Sequence, residues 1–149
     1  MTDMREVMKS AGLIRAAGAA GYFDDQGNLK VEFVSKPCME PKAERFAKEN
    51  LTMSQLRGFF NHCREIERRL RSKQSTWGEE RANVARVSVF AADAAGKKPA
   101  KIPRSFREFL DANLATVHCE KDFVDGFMKH FEALVGFAAL YMRKEERDR

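Results

Sequence analysis

The chain has 149 residues, a third of them charged, with a formal net charge of +5 and a pI near 9.2. A chain of this length forms one ordinary domain that buries roughly two-thirds of its unfolded surface, so its core needs no metal or disulfide. The charge is too moderate for a histone-like tail, and three cysteines without a CxxC spacing exclude a disulfide framework. No signal peptide opens the sequence, and no window reaches the roughly 18 consecutive apolar residues of a membrane span. These features predict a soluble protein of the reducing cytoplasm.

The first 36 residues read as an N-terminal arm. Met1 to Gly21 is rich in small residues, and Asp24, Asp25, Gly27 and Asn28 form a turn cluster between Tyr22-Phe23 and the alternating Leu29, Val31 and Phe33. An irregular or hairpin-like segment that wraps the core or a neighbour is expected. From residue 37 to 149 the pattern is helical. Pro41 fits the first turn of a short helix ending near Asn50. Thr52 and Gln55 then form a capping-box pair, which starts a second helix at Met53 and carries it to about Ser72. Met53, Leu56, Phe59, Phe60, Cys63, Ile66 and Leu70 recur at steps of three and four, so one side of this helix is core.

A polar connection, KQSTWG, leads to a third helix from about Gly78 to Ala95, with Val84, Val87, Ala91 and Ala94 on one face. Gly96 ends it, and Pro99 and Pro103 bound a basic loop. Pro103 starts a fourth helix with Phe106, Phe109, Leu110, Asn113 and Val117 on a shared face. The last helix, from about Asp122 to Lys144, has a stripe of Phe123, Phe127, Phe131, Leu134, Ala138 and Tyr141, flanked by Val124, Val135 and Met142. Its wide apolar band suits a central position in a bundle. The fold expected is all-α, a compact bundle of about five helices.

Chemistry of the enzymatic kind finds little support. His62-Cys63 and His118-Cys119 are adjacent pairs whose side chains diverge by about 100° on a helix, so neither converges on a metal. His130 falls in the apolar stripe, as a hydrogen-bonded core histidine would. No GxSxG, HExxH or phosphate-cradling glycine loop occurs, and the Asp24-Asp25 turn lacks the later ligands of a calcium loop. Neither a catalytic residue, a metal site nor a cofactor is expected.

Positive charge instead collects in two places. Leu51 to Arg71 holds five arginines against Glu65 and Glu67, and Gly96 to Arg107 holds Lys97, Lys98, Lys101, Arg104 and Arg107 with no acid. On the second helix Arg57, Arg64, Arg68 and Arg71 lie in a narrow arc beside the apolar face, with Asn61 at its margin and Gln55 near its start. A solvated face whose arginines pair with Glu65, Glu67 or Glu80 would explain such a row. A second basic segment shifts the balance toward phosphate, because Arg, Lys, Asn and Gln groups position a nucleic-acid backbone without reading its sequence. No RRM, KH or zinc-knuckle pattern occurs, so base stacking is not the expected mode.

The blocks LTMSQLRGFF, FREFLDANL and FMKHFEALVGFAALY, in this order across residues 45 to 143, resemble the small subunit of type III-A CRISPR effector (Csm) complexes. The third helix ends in AADAAGKKP, a departure from the family's aromatic-then-arginine ending. The resemblance implies a non-catalytic helical subunit of an antiviral surveillance complex. Several copies stack beside a filament that carries guide RNA, and they hold target RNA along the guide-target duplex by sequence-independent phosphate contacts. Its implied partners are guide RNA, target RNA, other Csm subunits and further copies of itself. Gln55 and Arg57 fall within the family motif. The wheel adds Asn61, Arg64, Arg68 and Arg71, and charge density adds Lys97, Lys98, Lys101 and Arg104. A purely structural scaffold subunit without RNA contact is the competing expectation.

Overall fold

The computed structural model describes residues 21–142, so most of the predicted arm, and the predicted end of the last helix at Lys144, lie outside the described residues. Among the described residues five α-helices follow one another: α1 (Lys36–Lys48), α2 (Met53–Arg71), α3 (Trp77–Gly96), α4 (Arg104–Leu114) and α5 (Met128–Ala138). A 3-10 turn, Val31–Phe33, precedes α1, and a π-helical segment, Asp122–Phe127, runs directly into α5. The architecture is all-α, and the apolar stripes expected of α2 to α5 supply most of its core. Phe59 and Phe60 are half-buried members, packed edge-on against Phe106 and Phe131.

The capping box of α2 is formed as its sequence requires. The Thr52 hydroxyl accepts from the Gln55 N–H, and the Gln55 amide oxygen accepts from the Thr52 N–H, both at 3.2 Å. A second box opens α3, where Thr76 caps the Glu79 N–H at 3.3 Å and Glu79 returns to the Thr76 N–H at 2.9 Å. That box starts the helix at Trp77, one residue before the expected Gly78.

Two helix boundaries differ more from those expected. Pro41 is inside α1 and not in its first turn, because extended Ser35 starts the helix at Lys36 and Pro37 takes the early position that tolerates a missing N–H. The carbonyl of Pro37 loses a helical donor at Pro41, but both residues are exposed, so water can replace it. At the other end α5 stops at Ala138, which leaves Tyr141 36% exposed although Met142 is buried. The apolar stripe continues through that turn while the helix does not.

Residues 21–35 are joined to the bundle. Phe23 and Leu29 form a single antiparallel bridge around the Asp24–Asn28 turn, too little to make a hairpin strand. Tyr22 is buried with its ring against Gly126, where an added Cβ would lie 2.6 Å from two ring carbons. Only glycine allows the π-helical segment to approach the ring this closely. The Tyr22 hydroxyl donates to Asn113 Oδ1 at 2.8 Å. His130 is the core histidine its position predicts: it is buried, and its Nδ1–H donates to the Phe33 carbonyl at 2.7 Å.

Candidate nucleic-acid interface

The cations of α2 divide between two faces. Arg57, Asn61, Arg64, Arg68 and Arg71 are all exposed, and helical geometry sets them within an arc of about 80° over a length of about 21 Å. Gln55 is turned about 160° from Arg57 on the same wheel. Its side chain is occupied by the cap, so the structure places it outside the row. Arg69 is likewise turned away. Its guanidinium binds Glu80 through Nε at 2.6 Å and Nη2 at 3.0 Å, as the sequence allowed for some of these arginines.

Glu80 shows what a buried carboxylate requires. It is 3% exposed, and it also accepts from Ser75 Oγ at 2.6 Å and Asn83 Nδ2 at 3.0 Å. The Arg69 hydrogen bonds hold its carboxyl down at about 2, against an ordinary 4.5, despite the opposing effect of burial. This pair joins α2 to α3 and leaves neither group for a ligand.

The outward arginines have looser partners. Glu67, with a side chain only 11% exposed, reaches the Nε edges of two of them, Arg71 at 3.1 Å and Arg64 at 3.8 Å. Their terminal nitrogens point beyond it: Arg64 Nη1 lies 3.4 Å from Glu132, and Arg71 Nη2 lies 3.7 Å from Asp125. Arg68 takes Glu65 with two nitrogens, at 2.5 and 3.0 Å, and donates to Gln74 at 3.2 Å. Arg64 also lies over the Phe60 ring, 5.7 Å from its centre. Arg57 has no ion-pair partner among the described residues.

Arg64, Glu67, Arg68, Arg71, Ser72, Lys129 and Glu132 line one open groove of about 610 Å³ between α2 and α5. Lys129 is the member that sequence reasoning missed. It stands one residue before His130 on the most hydrophobic helix, and nothing in its local pattern points to α2. Only the packing of α5 beside α2 brings Lys129 into the lining of the same groove.

The second basic segment lies elsewhere. A bond from the Lys101 N–H to the Ala94 carbonyl, 2.8 Å long, folds the loop back on the end of α3. Lys97 pairs with Asp93 at 3.3 Å and Arg104 with Glu108 at 3.0 Å, whereas Lys98 and Lys101 are exposed without ion-pair partners among the described residues. None of these four lines the α2–α5 groove. Arg104 instead borders a hollow with Arg45, Glu49 and Glu108. The second basic segment is thus no part of that groove.

Among the described residues no group of three or more His, Cys, Asp or Glu could hold a metal ion. Cys63 is buried, and burial pushes its thiol up to about 12, which makes it a poor nucleophile. No described helix is long and apolar enough to cross a membrane.

The Csm2 Type III-A family model matches residues 36–144, from the first turn of α1 past the end of α5. No curated protein and no solved structure matches the chain. The match takes in the whole arginine row, its acidic partners and Lys129, and it excludes the segment before α1. The chain belongs to the Csm2 Type III-A family and is a small subunit of the type III-A CRISPR (Csm) complex.

Proposed function

We propose that this subunit is non-catalytic and holds the backbone of target RNA along the guide-target duplex, through the row on α2 and the groove beside it. Arg57, Arg64, Arg68, Arg71 and Lys129 are the phosphate-binding groups, with Asn61 at their margin. Lys97, Lys98, Lys101 and Arg104 form a second contact surface, toward RNA or a neighbouring subunit. Stacked copies would repeat the row along the duplex, and base pairing between guide and target would supply the sequence specificity.

The observation that carries this reading is a line of exposed guanidiniums on one rigid helix, with a lysine from a second helix in the same groove. Phosphate binding of this kind leaves a salt signature. Replacing Arg57 and Arg64 together by alanine should weaken RNA binding and flatten the plot of log affinity against log salt. The expected change in slope is about 0.7 to 0.9 for each phosphate that the variant no longer neutralises. An unchanged slope removes the row from the site.

The scaffold reading has one observation in its favour, since Arg64, Arg68 and Arg71 each already have a carboxylate partner. It predicts that the same double variant binds RNA as well as the parent does, but joins the other Csm subunits poorly.

A further inference from the structure

We infer that Asp125 and Glu132 are affinity-setting residues: they occupy the RNA-facing ends of Arg71 and Arg64 as competing carboxylates, which phosphates must displace. The inference rests on the proposed phosphate role of the row and deepens it.

Two kinds of acid surround these arginines. Glu67 sits on α2 itself, largely buried; it accepts from Arg71 Nε at 3.1 Å and lies 3.8 Å from Arg64 Nε. It orients the Arg71 stem and leaves the outer edges of both guanidiniums to other partners. Asp125, on the π-helical segment before α5, and Glu132, on the α5 side of the groove, meet those outer edges, Nη2 of Arg71 and Nη1 of Arg64. Their side chains are 51% and 59% exposed, and the separations are 3.7 and 3.4 Å. A charge-assisted guanidinium–carboxylate hydrogen bond closes to about 2.7–2.9 Å, so these pairs are loose and solvated. Such exposed pairs are weak. They are too long to fix an arginine in place, yet they put negative charge where a phosphate oxygen would bind.

This arrangement favours a partner that offers many phosphates at once. A single phosphate must displace a carboxylate to reach one guanidinium, whereas a polymer recovers that cost over the whole row and over neighbouring copies. Asp125 and Glu132 would thus suppress binding of mononucleotides and short fragments more than binding of an extended strand.

The test uses the full chain and a labelled oligouridylate in a binding titration at fixed low salt. Glu132→Gln and Asp125→Asn should each tighten binding about two- to fivefold, the range expected when an exposed ion pair is removed. Glu44→Gln, which removes an acid paired with Lys48 on α1, controls for net charge and should change affinity much less. The gain from Glu132→Gln should disappear when Arg64 is also replaced by alanine. Weaker binding by Glu132→Gln and Asp125→Asn would make these acids positioning residues and overturn the inference, as would a gain equal to that of Glu44→Gln. Arg64→Ala alone reports on the underlying reading: if it binds RNA like the parent, the phosphate role of the row fails, whatever the acids do.

Discussion

Arg68 and Arg69 are adjacent on one helix, identical in chemistry, and opposite in use. Arg69 faces α3 and binds, through two nitrogens, a carboxylate that is almost wholly buried and further bonded by Ser75 and Asn83, with its third nitrogen 3.6 Å from Glu65. Arg68 faces the groove and meets Glu65, an exposed acid one turn away on its own helix. The difference lies in the burial of the partner and not in the arginine. A buried carboxylate cannot release its cation without remaining charged in a poor solvent, whereas an exposed one exchanges it for water and salt at little cost. The two faces of α2 therefore differ: one is fixed in the fold, and the other holds partners it can exchange.

The largest expected effect follows from the inner face. Arg69→Ala leaves Glu80 charged, buried and short of its two strongest donors, a loss on the order of 2–4 kcal/mol of folding stability. Denaturant unfolding measures it. A loss below about 0.5 kcal/mol would show that the pair is no firmer than the exposed pairs of the outer face.

Acid titration should sharpen the same comparison, with a smaller effect per step. Glu80 has a folded value near 2, well below the ordinary 4.5. The folded state therefore gains stability from its ionised form above about 4.5, and that gain declines as pH falls from 4.5 toward 2. Glu80→Gln should remove most of this slope, which thermal unfolding at a series of pH values would record. His130 acts in a higher window. Burial lowers its value from the ordinary 6.5 against the opposing effect of the Phe33 carbonyl, so stability present above 6.5 is lost as pH falls below it. His130→Gln should flatten that limb and leave the Glu80 limb intact.

Much of this division could be read before any coordinates, and the part that could not has a physical reason. The Thr52–Gln55 box and the three-and-four spacing of Leu56, Cys63, Ile66 and Leu70 are local patterns, so they set the start and inner face of α2 directly. The Thr76–Glu79 box is equally local, yet the expected start at Gly78 passed over it, and the structure starts α3 at Trp77. The wheel gives the direction of each arginine but not what it meets. Lys129 belongs to a helix 58 residues beyond Arg71 in the chain, and Asp125 to the segment before it, so their convergence on the row depends on packing. The same limit applies to Gln55, whose sequence context fits both a cap and an RNA contact until its partner is visible. Pro41 shows the reverse case, where an exposed helix face accommodates an interior proline that local preference would exclude.

The smallest expected effect on stability belongs to Arg68, and it is the sharpest test of the two faces. Its bonds to Glu65 hold that carboxyl below its ordinary range, but both side chains are about half exposed. Exposed pairs at this spacing contribute a few tenths of a kcal/mol. Arg68→Ala should therefore unfold close to the parent, far short of the loss expected of Arg69→Ala. Its RNA affinity should nevertheless fall measurably, and its salt slope should flatten by about one phosphate's share. Arg69→Ala should give the converse, a large loss of stability with the salt slope of the remaining folded protein unchanged. Measuring both variants for unfolding and for RNA binding separates the faces, because each arginine then serves as the control for its neighbour. If Arg68→Ala loses stability as Arg69→Ala does, the outer pair is structural and the groove is not free to exchange its partners. If both variants keep the parent's salt slope, Arg68 neutralises no phosphate, and the double replacement of Arg57 and Arg64 decides whether the rest of the row does.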